Sequence, residues 1–359
     1  MLRQVLNTKY IARQVTVLAK RSYLTENYKC TESFESRLKN PILERVSIEN
    51  LYFDIDAKFH QQKKVSAIDI DIYANKIIDD KHTDEIADLV QKLRLTEEAS
   101  NILESTGHAL IRSYIENNQI DALVQILNHR LEYGIYLDNF TANLLLDKLV
   151  MEKNWKLAAR VATLHCLQED FENPITNALS MYSCYMFLEN LETFDDLVEQ
   201  QTEKPKEDLP KSKKKKEEIR IRVGYLRNEY HDDHFDIRNT NHLVGKTLLY
   251  LAKESKQSDV LKNSLELLGY ALYEKFDHGI KLLETQSSSP FFADAVAVVN
   301  KLKAASGEEN EIAMKFFNKV EQLNNLQNDK VDSILEKLVQ SAVETRQSKD
   351  IEQQQMVSC

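Results

Sequence analysis

The stretch NFTANLLLDKLVMEKNWKLAARVAT, residues 139–163, decides the fold. Its apolar residues fall three and four apart in two short runs separated by EKN at 152–154. That spacing puts them on one face of a helix, so the stretch predicts a helix, a tight turn and a second helix. A pair this short buries too little apolar surface to fold alone. It needs neighbours of its own kind to complete a core.

The neighbours are present at a spacing of 36. In the second helix Ile86, Ala122, Ala158 and Phe194 align, followed four residues later by Val90, Ile126, Ala162 and Val198. In the first helix Ala74, Leu110, Leu146 and Tyr182 align, then Ile78, Tyr114, Val150 and Met186. His82, Asn118, Asn154 and Asn190 occupy the turn, where asparagine suits a left-handed reversal. Ala158, Ala159 and Ala162 are small enough for close helix approach.

Composition agrees with this architecture. The 359 residues include only 7 Gly and 5 Pro, too few for the many tight turns of a sheet protein. No apolar run approaches the ~20 residues that cross a bilayer, so membrane insertion is not expected. The fold class is therefore all-α: an α-solenoid of helical hairpins followed by a C-terminal helical region.

The N-terminus has a different character. Arg3, Lys9, Arg13, Lys20 and Arg21 precede the first acid, Glu26, with apolar residues between them. A basic, acid-free, amphipathic start is the pattern of a mitochondrial transit peptide. RSYL at 21–24 matches a matrix-protease cleavage pattern, which places the leader at 1–23 and the repeat array at 24–202. Without those five cations the formal charge moves from −10 to about −15, so phosphate contact must be local.

The stretch YGIYLDNFTANLLLDKLVMEKNWKLAARVA, 133–162, resembles a pentatricopeptide unit, GIYLD standing for the usual end of one repeat and FTANLL for the start of the next. More narrowly, its DNFTANLL segment is similar to the pentatricopeptide-type family of the mitochondrial small ribosomal subunit, the small-subunit protein twenty-seven family. SYLTENYKCTESFESR at 22–37 and SAIDIDIYANKIID at 66–79 extend the likeness, which fades after residue 200. Leu137 stands where the repeat commonly has proline. The resemblance implies a role in mitochondrial translation, in the matrix, with small-subunit rRNA and other small-subunit ribosomal proteins as partners.

Pentatricopeptide arrays that read RNA do so with two or three side chains per base. Asn143 and Asp138 occupy positions such a code would use, and Asn143 could equally support its own helix start. One repeat away, the equivalents of Asn143 are Gly107 and Leu179, which cannot discriminate bases. Residues 66–203 carry 25 acids and 10 basic residues, an acidic face suited to basic protein neighbours. The sign then reverses. Residues 204–228 carry ten basic and four acidic side chains around KSKKKK, within a polar, proline-containing linker expected at 203–218 to be disordered. Lys211, Lys213, Lys214, Lys215, Lys216, Arg220 and Arg222 are the first candidates for RNA contact, with Asn143 as a further one. Beyond the linker, 219–345 reads as further amphipathic helices and 346–359 as a disordered tail.

Motifs for chemistry are wanting. Cys30, Cys166, Cys184 and Cys359 form no CxxC pair. HDDH at 231–234 has no metal-site spacing. VGKT at 244–247 lacks the glycine a phosphate-binding loop needs five residues before its Gly-Lys pair, since Thr240 stands there. No catalytic motif, cofactor or small-molecule substrate is expected. The leading reading is a structural component of the mitochondrial small ribosomal subunit. A ribosome-free pentatricopeptide RNA-stability or processing factor and a matrix protein-binding adaptor are the alternatives.

Overall fold

The computed structural model describes residues 22–190, 237, 239–254, 258–286, 289–305 and 311–357. The basic stretch at 204–228, HDDH at 231–234, Phe194, Val198, Cys359 and residues 1–21 of the expected leader lie outside them. The described chain is helical apart from one two-residue strand pair, so it is all-α. Two compact units comprise it. The first holds the described residues of Met1–Val161, Asn173–Leu179 and Lys337–Cys359; the second holds those of Ala162–Glu172 and Ser180–Glu336.

In the first unit, after short helical turns, α1 spans Ile48–Gln62, α2 Ala67–Lys76, α3 Thr83–Arg94, α4 Glu104–Glu116, α5 Ile120–Asn128 and α6 Asn139–Glu152, and α7, Trp155–Cys166, begins there. Helix α8, Pro174–Glu189, begins in this unit. Polar side chains start the helices. Ser47, Ser66, Asp138 and Asn173 each accept a backbone N–H of the first turn, and Pro174 needs no donor there. Alternate helices meet: α2 packs on α4, and α4 on α6.

Hydrogen bonds about one repeat apart join successive hairpins. Asp71 accepts from Ser105 Oγ at 2.6 Å and Thr106 Oγ1 at 2.8 Å. Tyr114 Oη donates to the Thr83 carbonyl at 2.7 Å, Lys148 Nζ to the Ile115 carbonyl at 2.6 Å and Arg160 Nε to Asn128 Oδ1 at 2.9 Å. Burying these donors without such partners would cost about 1–3 kcal/mol each, so the polar links fix which hairpin faces which.

The even spacing of 36 gives way to small shifts. The first helices of the pairs begin at Ala67, Glu104, Asn139 and Pro174. Asn118 adopts the expected left-handed angle, φ 62°, but in the next pair Lys153 does so, φ 57°. Asn154 instead caps α7 by accepting the Leu157 N–H at 3.3 Å. Because α2 ends at Lys76, Ile77 is buried and Ile78 is exposed. In α5 the buried face falls on Leu123 and Val124 and leaves Ala122 outside. Ala158, Ala159 and Ala162 are fully buried, as their size predicts.

In the second unit, α9 spans Thr240–Glu254, α10 Asp259–Leu272, α11 Phe276–Thr285, α12 Ala293–Ala305 and α13 Glu311–Glu321. Strand β1, Phe291–Phe292, pairs in parallel with β2, Leu326–Gln327. Helices α9 and α10 touch at Gly245 and Gly269, where a Cβ on Gly245 would lie 2.9 Å from the Gly269 carbonyl oxygen. Phe276, Phe316 and Phe317 cluster at centroid distances of 5.3–5.8 Å, and Gly279 makes room for the Phe316 ring.

The last helix, α14, runs Val331–Val357. The tail expected to be disordered from residue 346 is thus helical through Val357. Its polar sequence gave no local sign of this. Buried bonds to Asp350, described next, supply the stabilisation that apolar periodicity does not.

Candidate nucleic-acid interface

Asn143 lies on α6, where every residue from Phe140 to Asp147 is buried. Asp138, one residue before the helix, accepts the Thr141 N–H at 3.2 Å and the Phe140 N–H at 3.3 Å. The helix start therefore belongs to Asp138, and Asn143 does not support it. Asn143 Nδ2 donates to Tyr28 Oη at 2.8 Å. Tyr28 Oη donates in turn to Asp350 Oδ2 at 3.2 Å, which also accepts Asn173 Nδ2 at 2.8 Å. Arg346 Nε meets the other carboxylate oxygen at 2.8 Å, and the Tyr28 ring stacks on Phe140 with centroids 5.3 Å apart.

This arrangement uses Asn143 as a core clasp. Its relative exposure is 0%, so a base cannot reach it in this conformation. Burial first, and then the Asp350 carboxylate, push the Tyr28 hydroxyl above its ordinary range, which keeps it protonated as a donor. The equivalent Leu179 is likewise buried, so no row of polar side chains follows the repeat. Local reading could not find Tyr28, Asn173 and Asp350, because the residues that meet are up to 322 positions apart.

Two arginines of the first unit also prove to be structural. Arg37 and Arg112 stand over the Phe34 ring at 3.4 and 4.3 Å from its centroid. Arg37 spends its donors on the carbonyls of Phe34, Asn75 and Ile77, and burial lowers its pKa to about 10. Arg112 pairs with Glu116 at 3.1 Å. A neighbouring cleft of about 580 Å³ sets Lys29, Arg112 and Lys148 against Glu35, Glu116, Asp147 and Glu152. With more acids than cations in its wall, it does not form a phosphate pocket. Lys211, Lys213, Lys214, Lys215, Lys216, Arg220 and Arg222 lie outside the described residues.

The family described as mitochondrial 28S ribosomal protein S27 matches residues 1–357. The chain belongs to that family. It is accordingly a structural protein of the mitochondrial small ribosomal subunit, located in the matrix, and not an enzyme.

The VGKT stretch is part of a packed helix. Val244, Gly245, Lys246 and Thr247 lie inside α9 and are buried. A phosphate-binding loop instead presents free backbone N–H groups ahead of a helix. Here Gly245 serves the crossing with α10, and Thr247 Oγ1 donates to the Leu243 carbonyl at 2.8 Å. Among the described residues no helix is long and apolar enough to cross a membrane, and no group of acids, histidines and cysteines could hold a metal ion.

Proposed function

We propose that this ribosomal protein touches small-subunit rRNA through the basic stretch at 204–228 and offers its acidic pentatricopeptide-like array to basic ribosomal proteins. The reversal of charge carries this reading: 25 acids against 10 basic residues over 66–203 give way to ten basic and four acidic ones over 204–228. Lys211, Lys213, Lys214, Lys215, Lys216, Arg220 and Arg222 would neutralise phosphates and release counterions without reading sequence. The internal engagement of Arg37, Arg112 and Asn143 supports the same division of labour, since it leaves these side chains committed to the fold. The basic leader at 1–23 would deliver the chain to the matrix and then be removed.

Binding of the full chain to a small-subunit rRNA fragment, titrated across salt concentration, tests the proposal. Replacing Lys213, Lys214, Lys215 and Lys216 together with Gln should flatten the log–log slope by about 0.7–0.9 per lost phosphate contact. An unchanged slope refutes the assignment.

A further inference from the structure

Asp147 lies one turn beyond Asn143 on α6 and is 2% exposed. Its Oδ2 accepts Ser22 Oγ at 2.5 Å, its Oδ1 accepts the Tyr23 N–H at 2.8 Å, and the Leu24 N–H also reaches the carboxylate. All three donors are neutral. Of the cations in the adjoining cleft only Lys29 acts on this carboxylate, through space and without an ion-pair contact, while it pairs with Glu26; Arg112 pairs with Glu116 and Lys148 donates to the Ile115 carbonyl. A carboxylate held this deep against uncharged donors is under-compensated, and burial accordingly raises its pKa.

The three donors belong to consecutive residues, Ser22, Tyr23 and Leu24, within the RSYL processing pattern. We propose that Asp147 is the receptor for the α-ammonium group exposed when the leader is cut away, so that processing completes an ion pair the uncut chain lacks. This rests on the reading of residues 1–23 as a leader. Hydrolysis of the Tyr23–Leu24 bond puts the hydroxyl of water on the Tyr23 carbonyl carbon and its proton on the Leu24 nitrogen. The released carboxyl gives up its proton and the new amine takes one, leaving a carboxylate on the departing segment and an ammonium on Leu24. A cut one bond earlier leaves the ammonium on the Tyr23 nitrogen, which already stands 2.8 Å from Oδ1.

The new terminus is anchored at Asp147. The Leu24 side chain is 3% exposed, Thr25 caps the short helix Glu26–Lys29, and Tyr28 is locked into the core. Asp147 therefore meets a positioned amine, and the ammonium supplies a full positive charge where an amide supplied a dipole.

The purified full chain, wild type and Asp147→Asn, is cut with the matrix processing protease. Its new terminus is read by mass spectrometry, and thermal midpoints are measured before and after cutting. The expected terminus is Leu24 or Tyr23, with a midpoint rise of about 2 °C or more in the wild type that disappears in Asp147→Asn. Acetylation of the α-amine of the cut wild-type chain should reverse the rise, which keeps the test decisive if the variant folds poorly. A terminus elsewhere, or an equal rise in the variant together with no effect of acetylation, overturns the assignment of Asp147. A chain left uncut overturns the leader reading and this proposal with it.

Discussion

Tyr28 and Asp350 stand 322 residues apart in the chain, yet the tyrosine hydroxyl donates to the aspartate at 3.2 Å within one compact unit. The bond belongs to a buried cluster that also includes Asn143, Asn173 and Arg346. It ties the segment before the repeats to the last helix. Both segments also bury apolar side chains, Leu24 at one end and Leu335 and Val339 on the last helix, and the polar cluster adds directional bonds to that packing.

Tyr28→Phe removes the hydroxyl and leaves Asn143 Nδ2 without its acceptor in a buried site. A loss of about 1–3 kcal/mol is expected from chemical unfolding of the full chain. Asp350→Ala should cost more, because the carboxylate serves Tyr28, Asn173 and Arg346 together. Deleting residues from 346 onward should destabilise the first unit as well. Equal unfolding midpoints for wild type and Asp350→Ala would contradict the role of the clasp.

Glycine positions should respond in opposite directions. A Cβ on Gly245 would stand 2.8 Å from the Tyr273 nitrogen and 2.9 Å from the Gly269 carbonyl oxygen, both backbone atoms of the facing segment. Gly245→Ala is expected to cost about 1–3 kcal/mol through overpacking. Gly107 lies within α4 with nothing inside 4 Å of the added carbon. Gly107→Ala should therefore stabilise by about 0.5–1 kcal/mol. Thermal unfolding of the two single variants against wild type measures both signs.

Acid should weaken the fold through His108. Its ring lies against Phe140 and Phe34, and burial lowers its pKa, with Asp138 opposing and Arg112 and Arg37 reinforcing the shift. A depressed histidine pKa means that the unfolded chain binds the proton first. The contribution is thus complete above the unfolded value near 6.5 and is lost as pH falls through the folded value. His108→Leu should flatten stability over that window. Asp147 acts in the reverse sense: its raised pKa lowers stability as pH climbs from the usual carboxylate range through the folded value. Denaturant midpoints of His108→Leu and Asp147→Asn across pH 4–8 separate the two, and parallel curves would sink the assignment.

The amino-acid sequence by itself determined the helical class, the hairpin period and the family likeness. These rest on local causes: apolar spacing, scarce glycine and proline, and the DNFTANLL segment, which forms the cap and first turns of α6 in the structure. Tertiary structure alone decided the register of each hairpin, where the left-handed residue moved from Asn118 in one pair to Lys153 in the next. It also decided that α14 continues to Val357 and that Asn143 faces inward. A polar side chain on a helix can serve solvent, RNA or another buried polar group equally well by its own chemistry. Only the distant partner that arrives in folding, Tyr28 for Asn143 and Asp350 for Tyr28, settles which of these it serves.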